Sequence, residues 1–257
     1  MIQSLHTAAL GMKGQQTQID TIANNIANVD TLGYKKSRAN FKDALYVAMQ
    51  DPSNAESEEN LQKGTGTLVA SITKTFSPGI IQDTGRALDV ALIDERSFFT
   101  VADNNGDLAY TRDGSFRLSE EDGEAYLVTG SGNYVLDDSG SRIALEGNVE
   151  KISIDKNGNI FNEEIGDGPF ARLGLATFQN LEGLKAIGNN YYVETEASGE
   201  ATVVETADVK QRYIERSNVD LAEEMTNLIK AQRAYQISSR ILKTADDMEE
   251  VANNLRR

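Results

Sequence analysis

Two short polar loops are the first places where residue types and spacing could do chemistry. Residues 103–107 read Asp-Asn-Asn-Gly-Asp and residues 155–159 read Asp-Lys-Asn-Gly-Asn. Carboxylate and amide oxygens are the ligands that Ca²⁺ prefers, but an EF-hand loop needs glycine at its sixth position and a bidentate acid at its twelfth. Glycine is fourth in both loops, so the spacing favours hairpin turns over metal sites.

Side chains suited to catalysis are scarce. The chain has no cysteine and a single histidine, His6, which excludes thiolate chemistry, multi-histidine metal sites and Ser-His triads elsewhere in the chain. The acidic pairs at 120–121 and 137–138 lie beside turn glycines, whereas a catalytic carboxylate pair needs a walled cleft that shifts one pKa. We therefore predict no catalytic residue, no cofactor and no metal.

A cluster of asparagines, Asn24, Asn25 and Asn28, requires a reason. Asparagine is unfavourable inside a helix because its side chain competes for backbone hydrogen bonds. The cluster could mark a frayed last turn. Alternatively, the side-chain amides could satisfy backbone groups on a neighbouring helix. The residue pattern alone leaves these two interpretations open.

The asparagines come at the end of a predicted N-terminal helix over about residues 3–28. Apolar residues repeat every seven positions along one side of it, namely Leu5, Met12, Ile19 and Ile26. This spacing is typical of a narrow coiled-coil-like seam. Asp30, Thr31 and Gly33 supply the cap and turn residues that end the helix.

A second seam predicts a C-terminal helix over about residues 219–254. Its main row is Leu221, Leu228, Tyr235 and Leu242, and the alternate seam positions are Met225, Ala231, Ala245 and Ala252. Ser217-Asn218-Val219-Asp220 resembles a capping box at its beginning. The two ends of the chain therefore each carry a long helix with an apolar stripe that must be buried.

The middle of the chain has a different composition. All 3 prolines and 18 of the 21 glycines fall within residues 51–212. Turn dipeptides recur there about every 8–10 residues between strand-like runs at 98–101, 125–128, 152–154 and 191–193. The predicted fold is α+β, with terminal helices forming a helical domain around a predominantly antiparallel β middle. The predicted domains are 1–50, a linker or extended arm over 51–69, the β domain over 70–212, and 213–257.

Charge follows the same division. The net charge is −15, with +2 in residues 1–50, −1 in 213–257 and −16 between them. Nucleic acid and anionic membranes need a basic surface, so neither is expected as a partner. No stretch approaches the roughly 20 apolar residues of a membrane helix, and no cleavable signal peptide is visible.

Several segments resemble the bacterial flagellar basal-body rod and hook proteins. They are NNIANVDTLGYK (24–35), LDVAL (88–92), TRDGSF (111–116), ATFQNLEGLKAIGNNYYVET (176–195) and SNVDLAEEMTNLIKAQRAYQ (217–236). They span nearly the whole chain in the family's order. One segment departs from the pattern, because Asp94-Glu95-Arg96-Ser97 stands where the family usually has a Gly-Asp-Gly turn. This turn is therefore expected to differ in shape or length from that of the family.

The resemblance implies a structural subunit of the rod, most similar to the distal rod, with a proximal rod or hook subunit as the alternative. The terminal helices would form an inner tube, with the β domain outwards, in an open helical polymer that transmits torque. Partners would be further copies, neighbouring rod and hook proteins, and outer-membrane or peptidoglycan ring proteins. The location would be the basal body, reached by flagellar type III export. Assembly residues would be those of the two seams together with Asn24, Asn25, Asn28, Gly33 and Tyr34.

Two alternatives come from other classes. A secreted hydrolase would need two acidic residues facing each other in a buried pocket. A free-standing coiled-coil adhesin or binding module would form a discrete oligomer rather than a filament.

Overall fold

A computed structural model describes residues 2–48, 62–121, 123–145, 147, 151–162, 168–204 and 208–255. The chain divides into two compact units. The helical unit comprises Met1–Ala27, Ser37–Thr73 and Asp220–Arg257, and the β unit comprises Asn28–Lys36 and Lys74–Val219. Residues 51–61 of the predicted arm over 51–69 lie outside the described residues, whereas its described part contains strand residues at 62–64 and 67–69.

Both predicted terminal helices are present. Helix α1 spans Ile2–Ala27 and helix α2 spans Leu221–Asn254. They pack along each other, and the end of α1 contacts the beginning of α2 through Asn25 and Glu224, so they run in opposite directions. The N-cap residue of α2 differs from the predicted capping box, which began at Ser217. Asp220 is the N-cap, and its carboxylate accepts hydrogen bonds from the backbone N–H groups of residues 222 and 223.

The helical unit also contains strands β1 (Ser37–Asp43), β2 (Tyr46–Ala48), β3 (Gln62–Gly64) and β4 (Thr67–Lys74), the last residue of which belongs to the β unit. Strand β1 pairs with β4, and β2 pairs with β3. Strand β1 also packs on α1, where Gly14 is buried against Phe41. A methyl group at Gly14 would lie 3.0 Å from the Phe41 ring, so the missing side chain permits this close packing.

Short strands build the β unit. They are β5 (Ile81–Asp83), β6 (Val90–Leu92), β7 (Ser97–Ala102), β8 (Leu108–Thr111), β9 (Arg117–Glu121), β10 (Glu124–Val128), β11 (Tyr134–Val135), β12 (Ala144–Leu145), β13 (Ile152–Ile154), β14 (Asn159–Asn162), β15 (Ala171–Arg172), β16 (Leu175–Thr177), β17 (Lys185–Gly188), β18 (Tyr191–Val193), β19 (Thr202–Val203), β20 (Val209–Gln211) and β21 (Tyr213–Glu215).

The largest sheet among the described residues has ten strands. Its main path runs β12-β10-β11-β7-β8-β18-β17, and β16, β19 and β9 join it at the side. The registered pairs in this sheet are antiparallel, as are β13-β14-β15, β20-β6 and β21-β5. The predicted predominantly antiparallel β middle is therefore confirmed.

The two polar loops at 103–107 and 155–159 are hairpin turns. The N–H of Gly106 donates to the carbonyl of Asp103 at 2.8 Å, and the N–H of Gly158 donates to that of Asp155 at 2.9 Å. Asp113-Gly114 is one of the recurring turn dipeptides of the middle segment, but its glycine is needed for a different reason. A methyl group at Gly114 would lie 1.7 Å from the carbonyl oxygen of Val90, so this glycine permits two backbone segments to approach closely.

Two apolar clusters form the core of the β unit. The larger cluster joins strands across the big sheet to β6, β13, β14 and β20. The smaller is aromatic, with Phe98 packed edge-on against Phe76, Phe178 and Tyr192 at ring-centroid distances of 5.5, 5.8 and 5.7 Å. Edge-to-face packing of this kind stabilises cores beyond the area that it buries.

Candidate functional site

The asparagine cluster at the end of α1 resolves into different roles. Asn25 is buried, and its amide pairs with the backbone of Ser37, accepting from the N–H at 2.9 Å and donating to the carbonyl at 2.8 Å. The same amide donates to the Glu224 carboxylate at 3.0 Å. Asn25 therefore connects α1 to both β1 and α2. Of the two interpretations of the cluster, satisfaction of neighbouring groups fits Asn25, although the partners are a strand and a side chain.

The other two asparagines are placed differently. Asn24 is exposed, and Asn28 is half-buried, with its side-chain oxygen accepting a hydrogen bond from the Thr31 hydroxyl at 3.1 Å. Thr31 also donates its backbone N–H to the Asn28 carbonyl. Asn28 therefore shapes the turn that follows α1.

Residues Asn28–Lys36, here called the signature loop, lie within the β unit. Gly33 has a φ of +64°, and its N–H donates to the Glu215 carbonyl at 2.9 Å. A methyl group there would lie 2.7 Å from the backbone nitrogen of Asp113. Only glycine fits, because both the left-handed backbone and the close approach exclude a side chain.

A fully buried ionic cluster sits under the signature loop. The Glu215 carboxylate accepts hydrogen bonds from the Lys35 Nζ at 2.6 Å and the Arg112 Nε at 2.9 Å. It also accepts from the backbone N–H of Gly79 at 2.8 Å. The three charged side chains are at most 1% exposed. One acid therefore serves two cations that lie 180 and 103 residues from it in the chain.

The charges of this cluster depend on one another. Burial alone would raise the pKa of Glu215, but Arg112 and Lys35 together hold it below its usual value. Burial, assisted by Arg112, lowers the pKa of Lys35 to about 8 even though Glu215 opposes the shift. Lys35 Nζ finds a second acceptor in the Ser77 carbonyl at 2.8 Å. Removing Glu215 would leave two buried cations without a carboxylate.

Arg112 also orders the turn that departs from the family pattern. Its Nη1 donates to the Glu95 carbonyl at 2.7 Å and its Nη2 donates to the Asp94 carbonyl at 2.6 Å. Because both acceptors are backbone oxygens, the turn can be held whatever side chains it carries. The unusual side chains at Asp94–Arg96 are exposed, so the altered sequence leaves this buried anchor intact.

Tyr34 packs on the aromatic side of the site. It is 5% exposed, and the Lys74 Nζ lies 5.1 Å from the centre of its ring and 5.5 Å from that of Tyr192. Cations over aromatic faces are stabilised by the ring quadrupole. Burial lowers the pKa of Lys74 and raises that of Tyr192. Gly33 and Tyr34 therefore serve to seat the signature loop.

The seam residues of the two helices are only partly covered. Leu5, Met12, Ile19 and Ile26 of α1 and Leu228 and Leu242 of α2 are half-buried, whereas Leu221 is 45% and Tyr235 is 36% exposed. Among the side chains of α2 that the structure describes, the buried ones are Glu224 and the alternate seam positions Ala231 and Ala245. Small side chains thus form the closest part of the packing, and the larger apolar residues lie beside it.

The described part of the chain contains no group of three or more histidine, cysteine or acidic side chains able to hold a metal ion. Within that part, neither helix is both long and apolar enough to cross a membrane.

Three family models match the chain in the order in which its segments occur. They are the flagella basal body rod protein over residues 5–35, the flagellar hook protein FlgE/F/G D1 domain over 92–162, and the flagellar basal body rod FlgEFG protein C-terminal over 210–255. The first contains the signature loop up to Lys35, and the last contains Glu215.

Full-length relatives agree. The chain is 38% identical to the flagellar basal-body rod protein FlgG of Bacillus subtilis over 100% of both chains. It is 38% identical to FlgG of Borreliella burgdorferi, again over 100% of both, and 32% identical to the flagellar hook-basal body complex protein FlhP of Bacillus subtilis over 100% of both.

The chain therefore belongs to the flagellar basal-body rod and hook protein family. Within that family it is an FlgG-type protein, a structural subunit of the distal rod located in the basal body of the flagellum in the cell envelope. It is a structural protein rather than an enzyme, and it assembles with copies of itself and with rod and hook neighbours. The hydrolase and adhesin alternatives are thereby set aside.

Proposed function

We infer that the helical unit supplies the contacts that polymerise the subunit. The observation that carries this proposal is a set of large apolar side chains on α2 that are 45–58% exposed, with Leu255 at 83%. Leu221, Met225 and Ile229 lie near the beginning of the helix. A second group follows, here called the outer stripe, and consists of Ile237, Ile241, Met248, Val251 and Leu255. An exposed apolar row of this length is a typical binding surface.

The packing of α1 on α2 is coiled-coil-like in this proposal. The buried positions Glu224, Ala231 and Ala245 fall seven and fourteen residues apart, as a heptad seam requires. The Asn25–Glu224 contact adds a buried polar pair, and such pairs fix helix register at some cost in stability. The seam residues complete the interface between helices, either within one subunit or between neighbouring subunits. They are Leu5, Met12, Ile19, Ile26, Leu221, Leu228, Tyr235 and Leu242.

Asn24, Asn25, Asn28, Gly33 and Tyr34 contribute by shaping the end of α1 and the signature loop. The domain limits 1–50, 51–69, 70–212 and 213–257 remain our proposal for the organisation along the chain. Residues 70–212 alone would lack Lys35 and Glu215, so the part that we propose to fold independently, without the surface that polymerises, is the β unit with Asn28–Lys36 and the residues up to Val219. Export through the flagellar type III apparatus is compatible with a chain whose terminal helices are completed by assembly.

Ring proteins of the peptidoglycan or outer membrane are further proposed partners. The middle of the chain carries nearly all of the net negative charge, with −16 over residues 51–212. An acidic surface is suited to turning within a hydrated or like-charged sleeve without adhering to it.

The test of this function compares two exposed isoleucines. Ile241 on the outer stripe is 52% exposed and Ile187 on β17 is 57% exposed. Ile241→Glu should abolish rod assembly and swimming because it places a charge in an apolar interface, while the melting temperature of the isolated subunit stays unchanged. Ile187→Glu should permit both. Normal basal bodies with Ile241→Glu would overturn the proposal.

A further inference from the structure

A groove of about 380 Å³ lies in the helical unit, bordered by α1, β1 and β4. Three of its lining side chains, Thr17, Thr21 and Asn24, follow one side of α1. The Thr17 hydroxyl donates to the Lys13 carbonyl at 3.1 Å, and the Thr21 hydroxyl donates to the Thr17 carbonyl at 2.8 Å. Because the helix backbone satisfies these hydroxyls, their methyl groups are left to line the groove.

Asp20 is the one charged residue among the lining residues described, and it is exposed. Its carboxylate accepts a hydrogen bond from the Gln16 amide at 2.9 Å. No cation occurs three or four residues away on the helix. On the other side of the groove, Ile72 of β4 is 54% exposed. The groove therefore combines a mainly apolar surface with a carboxylate that forms no ion pair within the residues that the structure describes. Such a groove suits an apolar segment that also carries a cation.

The outer stripe of α2 has the complementary chemistry. Lys230 and Arg233 precede Ile237 by seven and four residues, which places them on the same side of the helix. Both are exposed, and neither has an acid three or four residues away. In the part of the chain that the structure describes, neither forms an ion pair. The stripe is thus apolar with cations at one end.

The stripe of one chain cannot fill the groove of the same chain. Ile237 follows the buried Ala231 by six residues, which turns it roughly a third of a turn away from the face that packs on α1. Groove and stripe are also different surfaces of one unit. If the stripe of one copy binds the groove of the next, the contact is heterologous, because it joins two different surfaces. One end of the array then keeps a free groove and the other end a free stripe, as an open polymer requires.

We propose that the outer stripe of α2 docks into the α1–β1–β4 groove of a second copy, with Arg233 opposite Asp20. This inference rests on the proposed function and adds the receiving surface. Apolar side chains of the stripe fill the groove, and the ion pair fixes their register, since charges across an interface supply specificity more than affinity.

Cross-linking provides the direct test, because the natural chain has no cysteine. Asp20→Cys and Arg233→Cys are introduced into one chain as the only copy in cells, which are treated with a short bis-maleimide. We expect a ladder of dimers, trimers and longer species, and no ladder from either single variant. The control pair Glu120→Cys with Arg233→Cys should give none. Swimming cells without a ladder from the Asp20–Arg233 pair would overturn the proposal.

Charge exchange decides the case if the cysteine variant fails to assemble. Asp20→Arg or Arg233→Glu alone should reduce the number of basal bodies about tenfold or more, and the two together should restore it. Normal assembly with either single change, or no restoration by the pair when each single subunit melts normally, would overturn this docking. Loss of assembly with Ile241→Glu, without restoration by the exchanged pair, would reject the groove while retaining the proposed function.

Discussion

The β unit buries its large apolar side chains more completely than the helical unit does. In the β unit, Phe98, Phe99 and Tyr192 are 0% exposed. In the helical unit, few large side chains are fully covered, and Ile237, Ile241 and Met248 of α2 remain 52–57% exposed. The charged groups differ in the same sense, because the β unit buries Lys35 and Arg112 against Glu215, whereas most charges of α2 lie in solvent.

This difference separates stability from assembly. A unit that buries its apolar and ionic groups within one chain depends little on its neighbours. A unit that leaves a long apolar row exposed is stabilised by every neighbouring subunit that covers this row. The signature loop belongs to the first kind, although it directly follows the helix of the second, so its motif residues serve the β fold through Gly33, Tyr34 and Lys35.

The largest effect should follow from removing Glu215. Glu215→Ala leaves two buried cations without their carboxylate, and we expect it to destabilise the subunit by about 3–5 kcal/mol. Glu224→Ala in the helical unit removes a carboxylate that accepts a hydrogen bond from the Asn25 amide, and it should change the unfolding of the monomer little, because the helices of this unit are completed only by assembly. Urea unfolding of both variants measures the difference. Equal losses would show that the ionic cluster is no stronger a feature than the Asn25–Glu224 contact.

Acid should act on the same cluster. The folded pKa of Glu215 lies below its ordinary value of 4.5, so its contribution to stability is present above that pH. It is lost as the pH falls from about 4.5 through the lowered pKa, because the unfolded chain then binds more protons. Melting curves should show a steeper acid decline for the natural chain than for Glu215→Gln. Parallel declines would remove Glu215 as the cause.

Lys35 should make the folded protein more stable as the pH rises through the alkaline range. A lysine whose pKa is raised by a salt bridge would have the opposite effect. The pKa of Lys35 falls from 10.5 to about 8 in the folded protein, so between these values the unfolded chain binds more protons and stability rises with pH. Lys35→Met should abolish this component of the rise in the free energy of unfolding. A natural chain and variant with the same alkaline slope would contradict the assignment.

A smaller effect separates close packing from backbone strain. Gly33→Ala combines a positive φ with a contact of 2.7 Å to the backbone, whereas Gly85→Ala has a φ of +69° and open space around it. The strain alone costs about 1–3 kcal/mol, so both variants should lose this amount and Gly33→Ala should lose more. Thermal unfolding gives both values. Similar melting temperatures would mean that the loop can move away from Asp113.

The regular elements were predictable because their signals are local. The seven-residue rows gave the terminal helices to within about two residues of their ends, and turn glycines bounded strands such as β7, β10, β13 and β18. The cap was less predictable, since serine and aspartate are both good N-caps. In the structure Asp220 takes that position, and the Ser217 hydroxyl accepts a hydrogen bond from the Val219 N–H instead.

The ionic cluster could not be predicted from local pattern. Lys35, Arg112 and Glu215 are separated by most of the chain, and a charged residue in a polar segment normally remains in solvent. A usable signal existed for two of them, because Lys35 and Arg112 fall inside segments that resemble the family. The seam on α2 was predicted only in part, since its main row contained Leu221, which is exposed, whereas the buried Ala231 stood among the alternate seam positions.

Hydrogen exchange before and after polymerisation tests the central claim most directly. The β unit should be protected in the monomer and unchanged on assembly, because its core and the Glu215 cluster are complete within one chain. Amides of α1 and α2 should exchange quickly in the monomer and gain at least about a hundredfold protection in the polymer, since unsupported helices are marginal in water. Slow exchange of both helices in a verified monomer, or a gain confined to the β unit, would contradict the division of roles between the two units.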